Sequence, residues 1–153
     1  MRERLHEEIS RAERHRTALS CLLVEFDNLE DIAREHGEQL REQTLDYVLA
    51  ALRRELRPFD RVGRGSQSHL LVILPGADSA RGEIVARRAL QRLRTIKVES
   101  GGQRLPLHVS VGLAAWRPDV DARELLAQAR VALEGARNTG AHTPLAGASP
   151  PPP

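Results

Sequence analysis

The chain is poor in several residue types, and each shortage removes a class of function. Among 153 residues there is one cysteine, Cys21, so no intramolecular disulfide and no cysteine-based structural zinc site is possible. Aromatic residues make up 3%, too few to build the stacking platform on which single-strand RNA or DNA binders rely. Lys97 is the lone lysine, and the formal net charge is only +2, with acidic residues interspersed among the arginines. That pattern excludes a basic face of nucleic-acid size. No apolar run approaches the roughly 20 residues that span a bilayer, and MRERLHEEIS has no apolar leader-type segment, so a cytosolic chain without membrane insertion is expected.

Hydrophobic residues supply 41% of the chain, drawn from Leu, Val, Ile and Ala, enough for one core. Cys21 falls in an apolar run and reads as a buried, inert thiol. The near-exclusive use of arginine as the basic residue suits planar, bidentate contacts to phosphates and guanine edges.

Residues 2 to 16 are charged with a thin stripe at Leu5, Ile9 and Ala12, a short leading helix. Leu19 to Phe26 reads as a strand, Asn28 as an N-cap, and a helix runs to about His36 before Gly37 breaks it. Leu40, Leu45, Val48, Leu49 and Leu52 carry a longer helix to Leu56, which Pro58 stops. Polar turn residues at 65 to 68 separate an extended run, Arg61 to Arg64, from the buried-type strand Leu70-Leu71-Val72-Ile73-Leu74: a hairpin. After a turn at 76 to 79, a helix presents Ile84, Val85, Ala89, Leu90 and Leu93 to the core, and Gly101-Gly102 marks another turn. Leu107 to Ala115 is a strand with Val109, Val111 and Leu113 on one face, and a last helix runs from about Asp121 to Arg137. This order predicts an α+β domain, an antiparallel-containing sheet flanked by helices, over residues 1–142. From Thr143 the proline-rich TPLAGASPPPP has no periodicity and is expected to be a disordered tail, residues 143–153.

Several stretches in order resemble the GGDEF domains of the diguanylate cyclase family, a nucleotidyl-cyclase-like, ferredoxin-type fold. Arg57 to Pro75, RPFDRVGRGSQSHLLVILP, resembles the family hairpin D-x-V-A-R-Y-G-G-D-E-F-V-V-L-L-P, with Asp60, Val62, Arg64, Leu71, Val72, Leu74 and Pro75 in register. Leu22 to Asp27 is similar to the first strand L-L-L-D-I-D, and Gly37 keeps a following glycine. His108 to Ala114 is similar to V-S-I-G-I-A, and Ala129 to Gly140 to A-D-x-A-L-Y-x-A-K-x-x-G. The likeness covers roughly residues 2 to 142; the family's L-T-G-L-x-N-R opening is missing before Arg2, which reads as a truncated or unusual start.

The resemblance implies an enzyme in which two carboxylates and a backbone carbonyl hold divalent metal under GTP. In this register the first carboxylate is Glu25 with the Phe26 carbonyl beside it, and the second position is His69. The signature itself is replaced by Ser66-Gln67-Ser68-His69-Leu70. Ser66 and Gln67 stand where two glycines admit phosphates, and Ala33 where an asparagine reads guanine. Glu42 keeps an acid at a second guanine contact, while Arg130 and Glu134 replace an acid and a tyrosine and Arg137 keeps a positive charge, read as a solvated one. Magnesium favours hard oxygen donors, so His69 is a poor substitute, although zinc or manganese tolerates imidazole. Either His69 and Glu25 form a metal pair or His69 is an ordinary hairpin histidine.

These departures lead to the expectation of no cyclase activity and no cofactor, with magnesium relevant only to residual turnover of GTP. The family also binds cyclic di-GMP at an R-x-x-D motif ahead of the signature, completed by an arginine from the next helix. Here these are Arg57, Asp60 and Arg88. An arginine fork meets guanine O6 and N7, and an aspartate accepts from N1-H and the amino group. The same residues also suit plain structural roles: Arg57 at a helix C-terminus, Asp60 capping a turn, Arg87 and Arg88 in solvent. The expected function is therefore a cyclic di-GMP receptor or regulatory module, with a homodimer or protein partner; a nucleotide-independent interaction module and a residually active cyclase are the alternatives.

Overall fold

The computed structural model describes residues 1–65, 69–138 and 145–146. Elements run in the order α1 (Arg2–His15), β1 (Leu19–Phe26), α2 (Leu29–His36), α3 (Glu38–Glu55), β2 (Arg61–Arg64), β3 (His69–Pro75), α4 (Ser79–Arg94), β4 (Lys97–Ser100), β5 (Gln103–Pro106), β6 (Val109–Ala115), α5 (Ala122–Asn138) and β7 (Leu145–Ala146).

The sheet follows from alternation. Successive side chains of a strand point to opposite faces, and β1, β3 and β6 are apolar on both, so each must be covered twice. Leu22, Val24 and Phe26 of β1 join Leu70, Val72 and Leu74 of β3 and Val109, Val111 and Leu113 of β6 in a core under α2, α3 and α4. Leu19, Cys21 and Leu23 join Leu71, Ile73 and Ala114 under α1 and α5, which contribute Leu5, Ile9, Leu125, Ala129 and Leu133. Each fully buried leucine contributes on the order of 2 kcal/mol. Burial pushes the Cys21 thiol up to about 12, so it stays protonated and inert as expected.

The strand order is β2-β3-β1-β6-β7, with β1 central and antiparallel to both β3 and β6. In that register Glu25 faces His69 on one side and Ser110 on the other. Helix α5 lies close against β6: a Cβ on Gly112 would overlap the Ala129 carbonyl oxygen and the Leu133 amide nitrogen, so only glycine fits there.

Four local expectations change. The Gly101-Gly102 turn is the tip of a separate two-stranded hairpin, β4–β5, whose short strands carry too little apolar alternation to read as such. The following strand begins at Val109, not Leu107. Ile84 is 58% exposed and lies outside the α4 stripe, which is formed by Ala86, Ala89, Leu90 and Leu93. Asn28 precedes α2 but makes no capping bond; its side chain donates to the Pro106 carbonyl and accepts from the His108 amide, tying α2 to the β5–β6 connection.

The expected tail falls outside the described residues except at Leu145–Ala146, where the backbone pairs in parallel with Gly112 and Leu113 of β6. Signature positions 66 to 68 also lie outside them. Among the described residues no helix is long and apolar enough to cross a membrane.

Candidate functional site

Two regions gather the residues singled out by sequence. The first lies where β1, β3, β6 and α5 meet. Cross-strand pairing brings His69 Nε2 to 3.5 Å from Glu25 Oε1. The other Glu25 oxygen is in contact with a guanidinium nitrogen of Arg137, and Arg137 Nε donates to Asp27 at 3.1 Å. Ser110 Oγ donates to the second Asp27 oxygen at 2.9 Å. Arg137 is thus not a solvated helix arginine but a bridge between two carboxylates of β1 and its end. Burial pulls its pKa down, and Glu25 and Asp27 more than reverse this, holding the guanidinium above its ordinary value.

As arranged, this donor set does not fit a magnesium ion. A cation already sits on Glu25, the cross-strand neighbour is an imidazole, and no cluster of three or more His, Cys, Asp or Glu able to hold a metal occurs among the described residues. Asp27 and Ser110 were not anticipated as members of this network. The β1 to β6 register sets Glu25 opposite Ser110 and so brings Ser110 near the end of β1.

Glu42 is also engaged: Arg64 of β2 donates to it at 2.7 Å, with Asp46 a further 3.8 Å contact of the same guanidinium. The Arg64 hydrogen bond holds the Glu42 carboxyl below the usual carboxylate range. Ala33 lies half-buried on α2 and brings no side-chain donor or acceptor. Arg130 and Glu134 are exposed on α5.

The second region is the end of α3. Asp60 accepts from the Arg57 backbone amide at 2.9 Å and from the Arg57 guanidinium at 3.4 and 3.3 Å. Its side chain is 1% exposed. Arg57 also donates to the Pro75 carbonyl at 3.1 Å, and its guanidinium lies 4.5 Å from the centroid of the exposed Phe59 ring. Arg88 of α4 reaches the same helix end, donating to the Glu55 carbonyl and carboxylate, both at 3.3 Å. A cleft of about 500 Å³ opens beside Arg57 and Asp60, between Arg53 and Arg61. Arg88 is not in its lining.

A family model, "Diguanylate cyclase, GGDEF domain", matches residues 1–143. The chain belongs to the GGDEF domain family, and its mixed sheet flanked by helices is that fold. The diguanylate cyclase SiaD of Pseudomonas aeruginosa, solved in complex with its activator SiaC, is similar at 26% identity and a TM-score of 0.88 over 94% of this chain. That match takes in 55% of SiaD, so this chain spans about half of it. The active GGEEF domain of a Vibrio cholerae diguanylate cyclase gives a TM-score of 0.87 at 17% identity, covering 97% of this chain and 94% of that one. The GGDEF domain of Caulobacter crescentus DgcB, solved with c-di-GMP, gives 0.87 at 18%, covering 94% and 86%. These last two speak to fold alone. A search of curated proteins finds no match.

Proposed function

We propose that this chain is a GGDEF domain that does not cyclise GTP and acts as a regulatory module, receiving cyclic di-GMP at Arg57, Asp60 and Arg88. The observation that carries the first part is the Arg137 bridge to Glu25 and Asp27. A metal-assisted phosphoryl transfer needs free carboxylate oxygens under the triphosphate, and here Glu25, the one carboxylate left at the two positions the resemblance assigns to the metal, is in contact with a guanidinium of the same chain. The replacement of the signature by Ser66-Gln67-Ser68-His69-Leu70 points the same way. So does the tie of Glu42 to Arg64, which removes an acid from guanine recognition.

For the receptor role, the support is the convergence of Arg57 and Arg88 on the end of α3, beside an exposed aromatic ring. A GGDEF domain of the same fold is known in complex with c-di-GMP. Binding here opens the Arg57 to Asp60 pair, freeing guanidinium edges for guanine.

One observation favours a second reading. Asp60 is buried and already accepts its hydrogen bonds from Arg57, as a residue that merely shapes the turn does. On that reading the chain is a nucleotide-independent interaction module. Calorimetric titration with cyclic di-GMP separates the two: binding to the wild type, lost in Arg57→Ala, supports the receptor, and no heat with either protein supports the module. Incubation with GTP and magnesium or manganese tests the third possibility, residual cyclisation.

A further inference from the structure

Away from both regions, α3, the end of α4 and the β4–β5 hairpin surround a cavity of about 490 Å³. Ala51 and Ile96, both buried, lie at its base, and Tyr47, Arg92, Lys97 and Arg104 stand around it. A smaller hollow of about 140 Å³ continues past Tyr47 toward Thr44 and Val98. The α3 residues that face the core are Leu45, Val48, Ala51 and Leu52. Tyr47 lies off that stripe and is 63% exposed, so its ring has no part in core packing.

An isolated exposed tyrosine needs no explanation. This one walls a concavity together with three cations and a single carboxylate. That carboxylate, Glu99, lies 3.3 Å from Arg104, whereas Arg92 and Lys97 have no ion pair among the described residues. The combination selects its ligand. A bare inorganic anion leaves the ring unused, and a neutral aromatic leaves the cations unused. The volume lies within the roughly 300–1,000 Å³ of small-molecule sites.

We propose that this cavity binds a nucleoside 5′-phosphate, its base stacked on Tyr47 and its phosphate held by Arg92 and Lys97. An arginine fork matches phosphate oxygens, and stacking accepts any base. None of these residues belongs to the proposed cyclic di-GMP site, so the two sites stand or fall separately.

The test is calorimetry on the full chain with AMP, adenosine and inorganic phosphate. AMP binds, and adenosine and phosphate alone bind at least about tenfold more weakly. Tyr47→Ala and Arg92→Ala each weaken AMP by about tenfold or more without shifting thermal unfolding, while Tyr47→Phe, which keeps the ring, retains it. Arg57→Ala leaves AMP binding unchanged. The proposal is overturned if AMP does not bind, if phosphate binds as well as AMP, if Tyr47→Ala and Arg92→Ala bind AMP like the wild type, or if Arg57→Ala abolishes AMP binding.

Discussion

At the β1 end of the sheet and at the end of α3, acids and arginines meet in opposite ways. In the first region the pairing is long-range: Arg137 on α5 reaches Asp27, 110 residues earlier, and grips Glu25 as well. In the second it is local, Arg57 to Asp60 within one turn, with the aspartate buried and the arginine at the rim. The first arrangement ties a helix to the sheet through two acids of β1 and its end. In the second, the buried aspartate holds the turn, while the more exposed Arg57 and Arg88 are engaged by Asp60 and the Pro75 carbonyl and by Glu55. A motif that reads as one unit in sequence therefore divides into a buried acid and two more exposed arginines.

Substitutions measure that division. Asp60→Ala removes the acceptor for the Arg57 amide and guanidinium, and urea unfolding is expected to show a loss of about 2 kcal/mol, because a buried carboxylate and its charge-assisted hydrogen bonds are lost together. A loss near zero makes Asp60 dispensable to the fold and ends the comparison. Arg137→Ala leaves two carboxylates close together without their cation; since Arg137 is 43% exposed, solvent screening limits the expected loss to about 1 kcal/mol by the same measurement. Arg88→Ala, at 53% exposure, is expected to cost under about 0.5 kcal/mol while still weakening cyclic di-GMP, the signature of an outward residue.

The smallest effect is a titration. Arg64 depresses the folded-state pKa of Glu42, so the stability this contact adds is present above the unfolded carboxyl pKa and fades as pH falls through the lower folded value. Carboxyl NMR is expected to place the Glu42 midpoint below that of an ordinary glutamate, and Arg64→Ala returns it to the usual range. An unchanged midpoint in Arg64→Ala removes this contact as the cause.

Much of the fold was legible because β1, β3 and β6 are apolar on both faces and the helices between them carry stripes of helical period. The β4–β5 hairpin was not, since KVES and QRLP are short and largely exposed. Ile84 misled because an apolar residue next to a true stripe looks like part of it until the helix is placed. In the site, the Glu25 to His69 neighbourhood followed from the family resemblance, which sets both at the metal-binding positions, and the β1–β3 register pairs them. The Arg137 bridge did not, because no spacing along the chain encodes a contact between α5 and the end of β1. Glu42 was legible as an acid in place, but its engagement by Arg64 depends on how α3 packs beside β2.

The central claim is that Arg137 occupies Glu25, the one carboxylate left at the two metal-binding positions that the family resemblance implies. Incubating the purified chain with GTP and magnesium, then manganese, and analysing products by chromatography tests it most directly. The account predicts unreacted GTP with both ions. Accumulation of cyclic di-GMP with either one contradicts it.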